Sequence, residues 1–377
     1  MKFKIQKADF LNGLGKVVGI TSRRTDFPIT SNILMESSES RISIIATDLE
    51  TGFQGFYPAS VEAQGCVTIP GRKLFEIVRD FPGDDIVCQE MENGWVEIRS
   101  SKVEYHLVGM DPDNFPKLPA VEDVPFFALE AQALGEMIEK TSIATTGMGP
   151  EEKRAHMVGV LVEHRAEGNG CVLRMVSTDG NRLSEADYRW QERPAEVGLT
   201  PGQGVVVPKK AMGELGKILE SEGQAWVGVK GSYFVVKREN ETAIVRLVEG
   251  TYPNYEAVVP QDVDSFFDVE REVLLMMVRR MSILSSDKYR AVLFNVSNDT
   301  LLVSTTNPEV GESKEDIPIL FNGVGFEVAF NPRYFIDTLS VMKSQAVKVR
   351  MRDAETPCIL EGADDPGFLT VIMPMRM

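Results

Sequence analysis

Cysteine and histidine are scarce in this chain of 377 residues. The four cysteines, Cys66, Cys88, Cys171 and Cys358, lie far apart and form no C-x-x-C pair. That spacing excludes a thiolate zinc cluster and a disulfide framework, and leaves reduced, buried thiols as the expectation. The three histidines, His106, His156 and His164, lack the H-E-x-x-H spacing that sets two imidazoles on one helical face. No metal and no cofactor are therefore expected. No apolar run approaches the roughly 18 residues that span a bilayer. The opening Met1-Lys2-Phe3-Lys4-Ile5-Gln6-Lys7 alternates charge with apolar residues where a signal peptide needs an unbroken apolar core. A soluble, cytoplasmic protein is the expectation.

Recognisable catalytic machinery is missing as well. There is no P-loop and no G-x-S-x-G elbow. The glycines of Gly13-Leu14-Gly15-Lys16-Val17-Val18-Gly19 are spaced one residue away from a dinucleotide loop, and no acidic residue closes a βαβ unit. A glycine-tolerant helix is the expected reading there. Ser285 and Lys288 form an S-x-x-K pattern, which could pair a serine nucleophile with a lysine, but no K-T-G stretch follows. A serine hydrolase is thus one alternative. In a chain with 56 acidic residues no single carboxylate pair stands out as acid and base. The expectation shifts from catalysis to binding.

What is present is a threefold repeat. Ile45-Ala46-Thr47-Asp48 recurs as Val176-Ser177-Thr178-Asp179 and as Val303-Ser304-Thr305-Thr306, at a period near one third of the chain. Val67-Thr68-Ile69-Pro70, Val205-Val206-Val207-Pro208 and Phe330-Asn331-Pro332 each run from a strand-like stretch through a proline into a helical pattern. An earlier helix opens each third. Its stripe reads Leu11, Leu14 and Val18 in the first, Leu134, Met137, Ile138 and Thr141 in the second, and Leu274, Met277, Val278 and Met281 in the third. Runs of strand character lie between, at 41–46, 94–99, 171–176, 233–238 and 291–296. The fold class is α+β, with three repeated domains at 1–122, 123–254 and 255–377, each carrying two helices on antiparallel sheets.

Each helix buries one stripe and leaves the other face free. The six helical windows are 7–24, 71–81, 129–145, 208–219, 271–290 and 332–343. Together they are net positive, within a chain of net charge −16. The bulk charge opposes indiscriminate nucleic-acid binding, but a local basic surface survives on those helices.

Four features in order, the triplicated domain, Ser177-Thr178-Asp179-Gly180-Asn181-Arg182-Leu183, Glu249-Gly250-Thr251-Tyr252-Pro253-Asn254-Tyr255 and Met373-Pro374-Met375-Arg376-Met377, resemble the bacterial DNA polymerase III beta subunit family, the sliding clamps. The resemblance runs end to end. It implies a non-enzymatic processivity factor, a head-to-tail homodimer closing a ring of six domains around duplex DNA. Twelve helices at about 10 Å spacing would leave a hole of roughly 28 Å. A clamp loader using ATP would open it.

The resemblance also implies site residues. Arg24, Arg72, Lys73, Arg79, Lys209 and Lys210 fall in DNA-facing segments, and helix placement adds Lys217, Arg279, Arg280 and Arg333. A cleft for short peptides of replicative and repair polymerases, the loader and other partners is implied at Met157, Thr178, Gly180, Asn181, Arg182, Leu183, Pro253, Val258, Val371, Met373, Pro374, Met375 and Arg376. An arginine at its rim would fix a peptide carboxylate or carbonyl. Ring closure would pair the edge strand of Tyr105 and Leu107 with a second copy at Ile283 and Leu284. The sequence departs from the family pattern at Ala155, His156, Asn181, Glu256 and Ala257. A clamp-fold scaffold that no longer encircles DNA is the remaining alternative.

Overall fold

The computed structural model describes residues 1–22, 26–145, 155–167, 170–190, 199, 204–220, 222–285 and 291–376, without the side chains of 93, 155 and 156. The first third holds β1 (Lys2–Gln6), α1 (Lys7–Thr21), β2 (Asn32–Ser38), β3 (Arg41–Thr47), β4 (Thr51–Pro58), β5 (Ser60–Ala63), β6 (Gly65–Pro70), α2 (Gly71–Asp80), β7 (Asp85–Glu90), β8 (Trp95–Ser100) and β9 (Val103–Val108). The second holds β10 (Phe126–Glu130), α3 (Ala131–Ser142), β11 (Gly159–Glu167), β12 (Gly170–Thr178), β13 (Arg182–Arg189), β14 (Val205–Pro208), α4 (Lys209–Ile218), β15 (Gln224–Lys230), β16 (Tyr233–Arg238) and β17 (Glu241–Arg246). The third holds β18 (Phe266–Glu270), α5 (Arg271–Ser282), β19 (Val292–Val296), β20 (Thr300–Asn307), β21 (Gly311–Pro318), β22 (Phe326–Phe330), α6 (Pro332–Val341), β23 (Ala346–Arg350), β24 (Cys358–Gly362) and β25 (Phe368–Ile372).

By contacts the chain forms two compact units. One comprises 1–135, 194–200 and 210–247, and contains a five-stranded sheet, β5-β1-β7-β8-β9, and an eight-stranded sheet, β10-β15-β16-β17-β4-β3-β2-β6. The other comprises 136–193, 201–209 and 248–377, and contains an eight-stranded sheet, β14-β11-β12-β13-β25-β24-β23-β18, and a four-stranded sheet, β21-β20-β19-β22. Every pairing between these named strands is antiparallel. Each eight-stranded sheet is continuous across two sequence repeats, through β17–β4 in one unit and β13–β25 in the other.

The helices follow their stripes with one shift. Leu134, Met137, Ile138 and Thr141 are buried, as are Leu274, Met277, Val278 and Met281. In α1 the buried set is Phe10, Gly13, Leu14, Val17, Ile20 and Thr21, so the expected Leu11 and Val18 stand on its flank. The reason is Gly13: a Cβ there would lie 2.6 Å from the Tyr57 ring, so this position must face the sheet. The helix-preceding prolines also differ from expectation. Pro70 is the N-cap of α2 and Pro208 directly precedes α4, while only Pro332 occupies the first helical turn, behind Asn331. Both positions use the fixed φ of proline without needing its missing N–H.

The hairpin turns correct the repeat alignment. In the first copy the Asp48 carboxylate accepts from the amides of Glu50 and Thr51, and in the second Asp179 accepts from Asn181 and Arg182. Leu49 (φ 74°) and Gly180 (φ 86°) hold the same left-handed step. In the third copy the accepting side chain is Asn307, which receives the Glu309 amide. The match to Thr47 is therefore Thr306, one residue beyond Thr305, and the turn that follows is one residue longer.

Candidate functional site

The T-D-G segment builds one wall of a cleft in the second unit. Thr178 Oγ1 donates to the Arg182 carbonyl (2.7 Å), the Gly180 amide donates to Thr178 Oγ1 (3.1 Å), and Leu183 emerges on the outer face of the sheet beside Val371 of β25. Behind them Leu161, Val176, Leu183, Val206, Tyr255, Ile359 and Val371 form a single apolar cluster. The Pro253–Val258 segment crosses over it and turns through a 3₁₀ helix at Tyr255–Val258. Between that segment, Met157 and Met373 lies an apolar cavity of about 210 Å³.

Of the expected cleft residues, Met157, Thr178, Gly180, Arg182, Leu183, Pro253, Val258, Val371 and Met373 line this cavity. Asn254 and Tyr255 line it too and were not anticipated, although both stand inside the quoted Tyr252–Tyr255 motif. Asn181, Pro374, Met375 and Arg376 are not in the lining. Asn181 contributes its carbonyl, which accepts from the Met373 amide (2.9 Å), and the Met375 amide donates to Ala329 (2.8 Å). The tail is thus stitched along the turn, with its backbone doing the positioning.

Arg182 differs from expectation in kind. Its side chain is 7% exposed and committed to internal partners. Nε donates to Asp179 (3.0 Å), Nη1 to Asp337 (2.8 Å) and Nη2 to the Ile143 carbonyl, while the guanidinium stacks on Tyr334 at 4.5 Å. It pins the turn to α6 and to the end of α3 instead of offering a free hand at the rim.

Down the same sheet face the apolar floor gives way to charge. Arg174 holds Asp187 with two bonds (2.7 and 2.8 Å) and Glu185 at 3.0 Å. Tyr255 donates to Glu163, which also accepts from Arg165 (2.7 Å). Burial pushes the Glu185 carboxyl up to about 7, and the neighbouring Asp187 and Glu163 add to this against the pull of Arg174 and Arg165. Glu256, one of the departures from the family pattern, is tied to Arg165.

The expected DNA-facing residues are unequal. Arg72, Lys73, Arg79 and Arg333 project from α2 and α6 with exposures of 67, 69, 58 and 80%, in solvent-exposed ion pairs with Glu76, Asp80 and Asp337. Lys210 is exposed and unpaired among the described residues. Arg279 reaches Ser340 (3.2 Å), and Lys217 pairs with Glu214 (2.6 Å). Two are engaged elsewhere: Arg280 grips Glu315 on β21, and half-buried Lys209 donates to the Thr145 carbonyl, with burial holding its ammonium below the usual lysine range. Arg24 and Lys288 lie outside the described residues.

At the expected ring interface, Tyr105 and Leu107 do lie on an edge strand, β9. Ile283 and Leu284 do not. They follow the end of α5, with Ile283 77% exposed, and the unpaired strand edge nearby is β21. Among the described residues three cysteines are buried and Cys66 partly so, all four as free thiols, and no helix is long and apolar enough to cross a membrane.

A triplicated α+β chain with two inter-repeat sheets, basic helix faces and an apolar cleft fits a docking and encircling protein. Family models described as DNA polymerase III beta subunit, N-terminal, central and C-terminal domain, match residues 1–119, 128–254 and 256–376. The beta sliding clamp of Pseudomonas aeruginosa is 30% identical over 100% of both chains, and that of Vibrio cholerae 29% over the same coverage. The structure of a Pseudomonas aeruginosa sliding clamp bound to griselimycin superposes with a TM-score of 0.90 at 28% identity over 100% of both chains. The Bacillus subtilis clamp gives 0.90 at 25%, over 100% of this chain and 99% of that one. The chain belongs to the DNA polymerase III beta subunit family, the bacterial sliding clamps. That family is non-enzymatic, so Ser285 and Lys288 are not a catalytic pair.

Proposed function

We propose that this chain closes head to tail with a second copy into a ring around duplex DNA in the cytoplasm, with domains at 1–122, 123–254 and 255–377. The observation that carries this reading is the pattern of sheet junctions. In each, the strand after the T-D turn pairs with the last strand of the next repeat: β4 with β17, and β13 with β25. The third member of the first set is β21 and the remaining member of the second is β9, and both are free edges. Strands β6, β14 and β22 are edges in all three repeats, so they do not break the pattern. Joining β21 to β9 of another copy completes it, and two such joints close a ring. Tyr105 and Leu107 then sit at the joint, with Ile283 and Leu284 beside it at the end of α5.

Duplex DNA inside the ring would meet Arg72, Lys73, Lys210, Arg279 and Arg333, with Arg24 and Lys217 contributing and Lys209 and Arg280 mainly structural. Exposed cations suit sliding, because a ring holds by topology and needs no base contacts. The cleft around Leu183, Val371, Met373 and Val258 takes leucine and phenylalanine side chains from short peptides of polymerases and the clamp loader. Its methionines adapt to different partners. The test is retention on circular against linearised plasmid after loading with ATP and a compatible loader. The protein should stay on circles and run off linear ends; equal loss from both overturns the reading.

A further inference from the structure

Pairing of β9 with β21 of a second copy, proposed above, fixes a register, and the inference here rests on that pairing. The β8–β9 and β16–β17 hairpins each turn through two residues, with Ser101 (φ 55°) and Glu239 (φ 47°) at the same step. His106 therefore occupies the position of Ile244, and Glu104 that of Thr242. On the other side of the joint, the residue facing the turn threonine is Gly52 in β4, Leu183 in β13 and Glu312 in β21. Gly52 pairs with Ile244 across one junction and Leu183 with Val371 across the other. By the same rule Glu312 of the partner subunit faces His106, and two residues along Lys314 of the partner subunit faces Glu104.

The faces agree. On β21, Glu312, Lys314 and Asp316 are exposed while Ser313, Glu315 and Ile317 are half-buried. On β9, Glu104 and His106 share the outer face with their β8 neighbours Arg99 and Glu97. His106 Nε2 lies 3.0 Å from Glu104 and 3.7 Å from Glu97, a group with the ligand types of a cation site. Glu312 and Lys314 make no ion pair among the described residues.

We propose that the two copies recognise each other through two side-chain rows crossing the joint: Arg99, Glu104 and the partner subunit's Lys314, which alternate in charge, and Glu97, His106 and the partner subunit's Glu312, in which the imidazole stands between two carboxylates. Directly opposed residues in an antiparallel pair approach closely enough for opposite charges to attract and like charges to repel. A backbone joint alone would accept any free strand edge; the rows select this edge in this register.

Charge reversal tests this by sedimentation. Glu104→Lys sets two lysines opposite each other at both joints, and Lys314→Glu sets two glutamates. Each variant alone should dimerise at least tenfold more weakly than the unaltered chain. An equimolar mixture should recover dimer, because a heterodimer has one unaltered joint and one with the charges exchanged. Both positions are exposed, so unchanged melting curves will separate loosened joints from unfolding. Wild-type-like dimers from both variants, or no recovery on mixing, overturn the charge rows while leaving the ring standing. An unaltered chain that sediments as a monomer throughout overturns the ring itself.

Discussion

Lys140 shows how one residue can fasten a unit. Its ammonium lies 2.6 Å from Asp365, with side-chain exposures of 10 and 0%. Asp365 also accepts from the amides of Lys343 and Ser344. These partners hold its carboxyl below the usual range although burial works against them. Lys140→Met removes the counter-charge and keeps the volume, so the second unit should lose about 3 kcal/mol in denaturant melts. Glu185 tests the opposite case. Its carboxyl is raised to about 7 from 4.5, so the folded state binds the proton more tightly than the unfolded chain. Stability therefore falls as pH rises from about 4.5 to 7. Glu185→Gln should stabilise the protein by on the order of 2 kcal/mol at pH 8, with the advantage gone near pH 4. A gap that does not change with pH would remove that assignment. Neither residue was legible in the sequence, because burial and charge partners come from strands far apart in the chain. Arg182 was legible as a motif residue, but its committed guanidinium was not.

At the scale of elements, periodicity and proline placement located the helices and most strands, since those signals are local. Residues 233–238 match β16 end to end. The shift in α1 escaped because Gly13 carries no hydrophobic signal and is buried only by the close approach of Tyr57. The one-residue slip in the third repeat escaped because Thr305 and Thr306 are identical in type, and only the Asn307 side chain marks the turn. The same comparison explains why the apolar space beside Leu183 has no copy at the matching position of the first unit. Leu183 has Gly52 as its counterpart, and a Cβ on Gly52 would meet Leu118 at 2.6 Å. In the first unit the linker leucine packs into the space that remains open beside Leu183 in the second.

For the whole molecule, the question is whether topology or charge keeps the proposed ring on DNA, and the two have different kinetic signatures. Attraction between exposed helix cations and phosphates acts on encounter and is screened beyond about 10 Å at 0.1 M salt. Escape from a circle instead requires a joint to open. Arg72→Glu with Lys73→Glu shifts the charge on the exposed face of α2 by −4 in each subunit, without touching β9 or β21. That variant should load several-fold less efficiently at low salt, yet once loaded should leave a circular plasmid at the unaltered rate. Lys314→Glu should do the reverse: its DNA-facing helices are intact, but its lifetime on circles should fall about tenfold as the joints loosen. Pulse loading followed by gel filtration at fixed salt measures both. If the α2 variant escapes circles as fast as the joint variant, phosphate contacts and not closure hold this protein, and the scaffold reading of the fold regains its place.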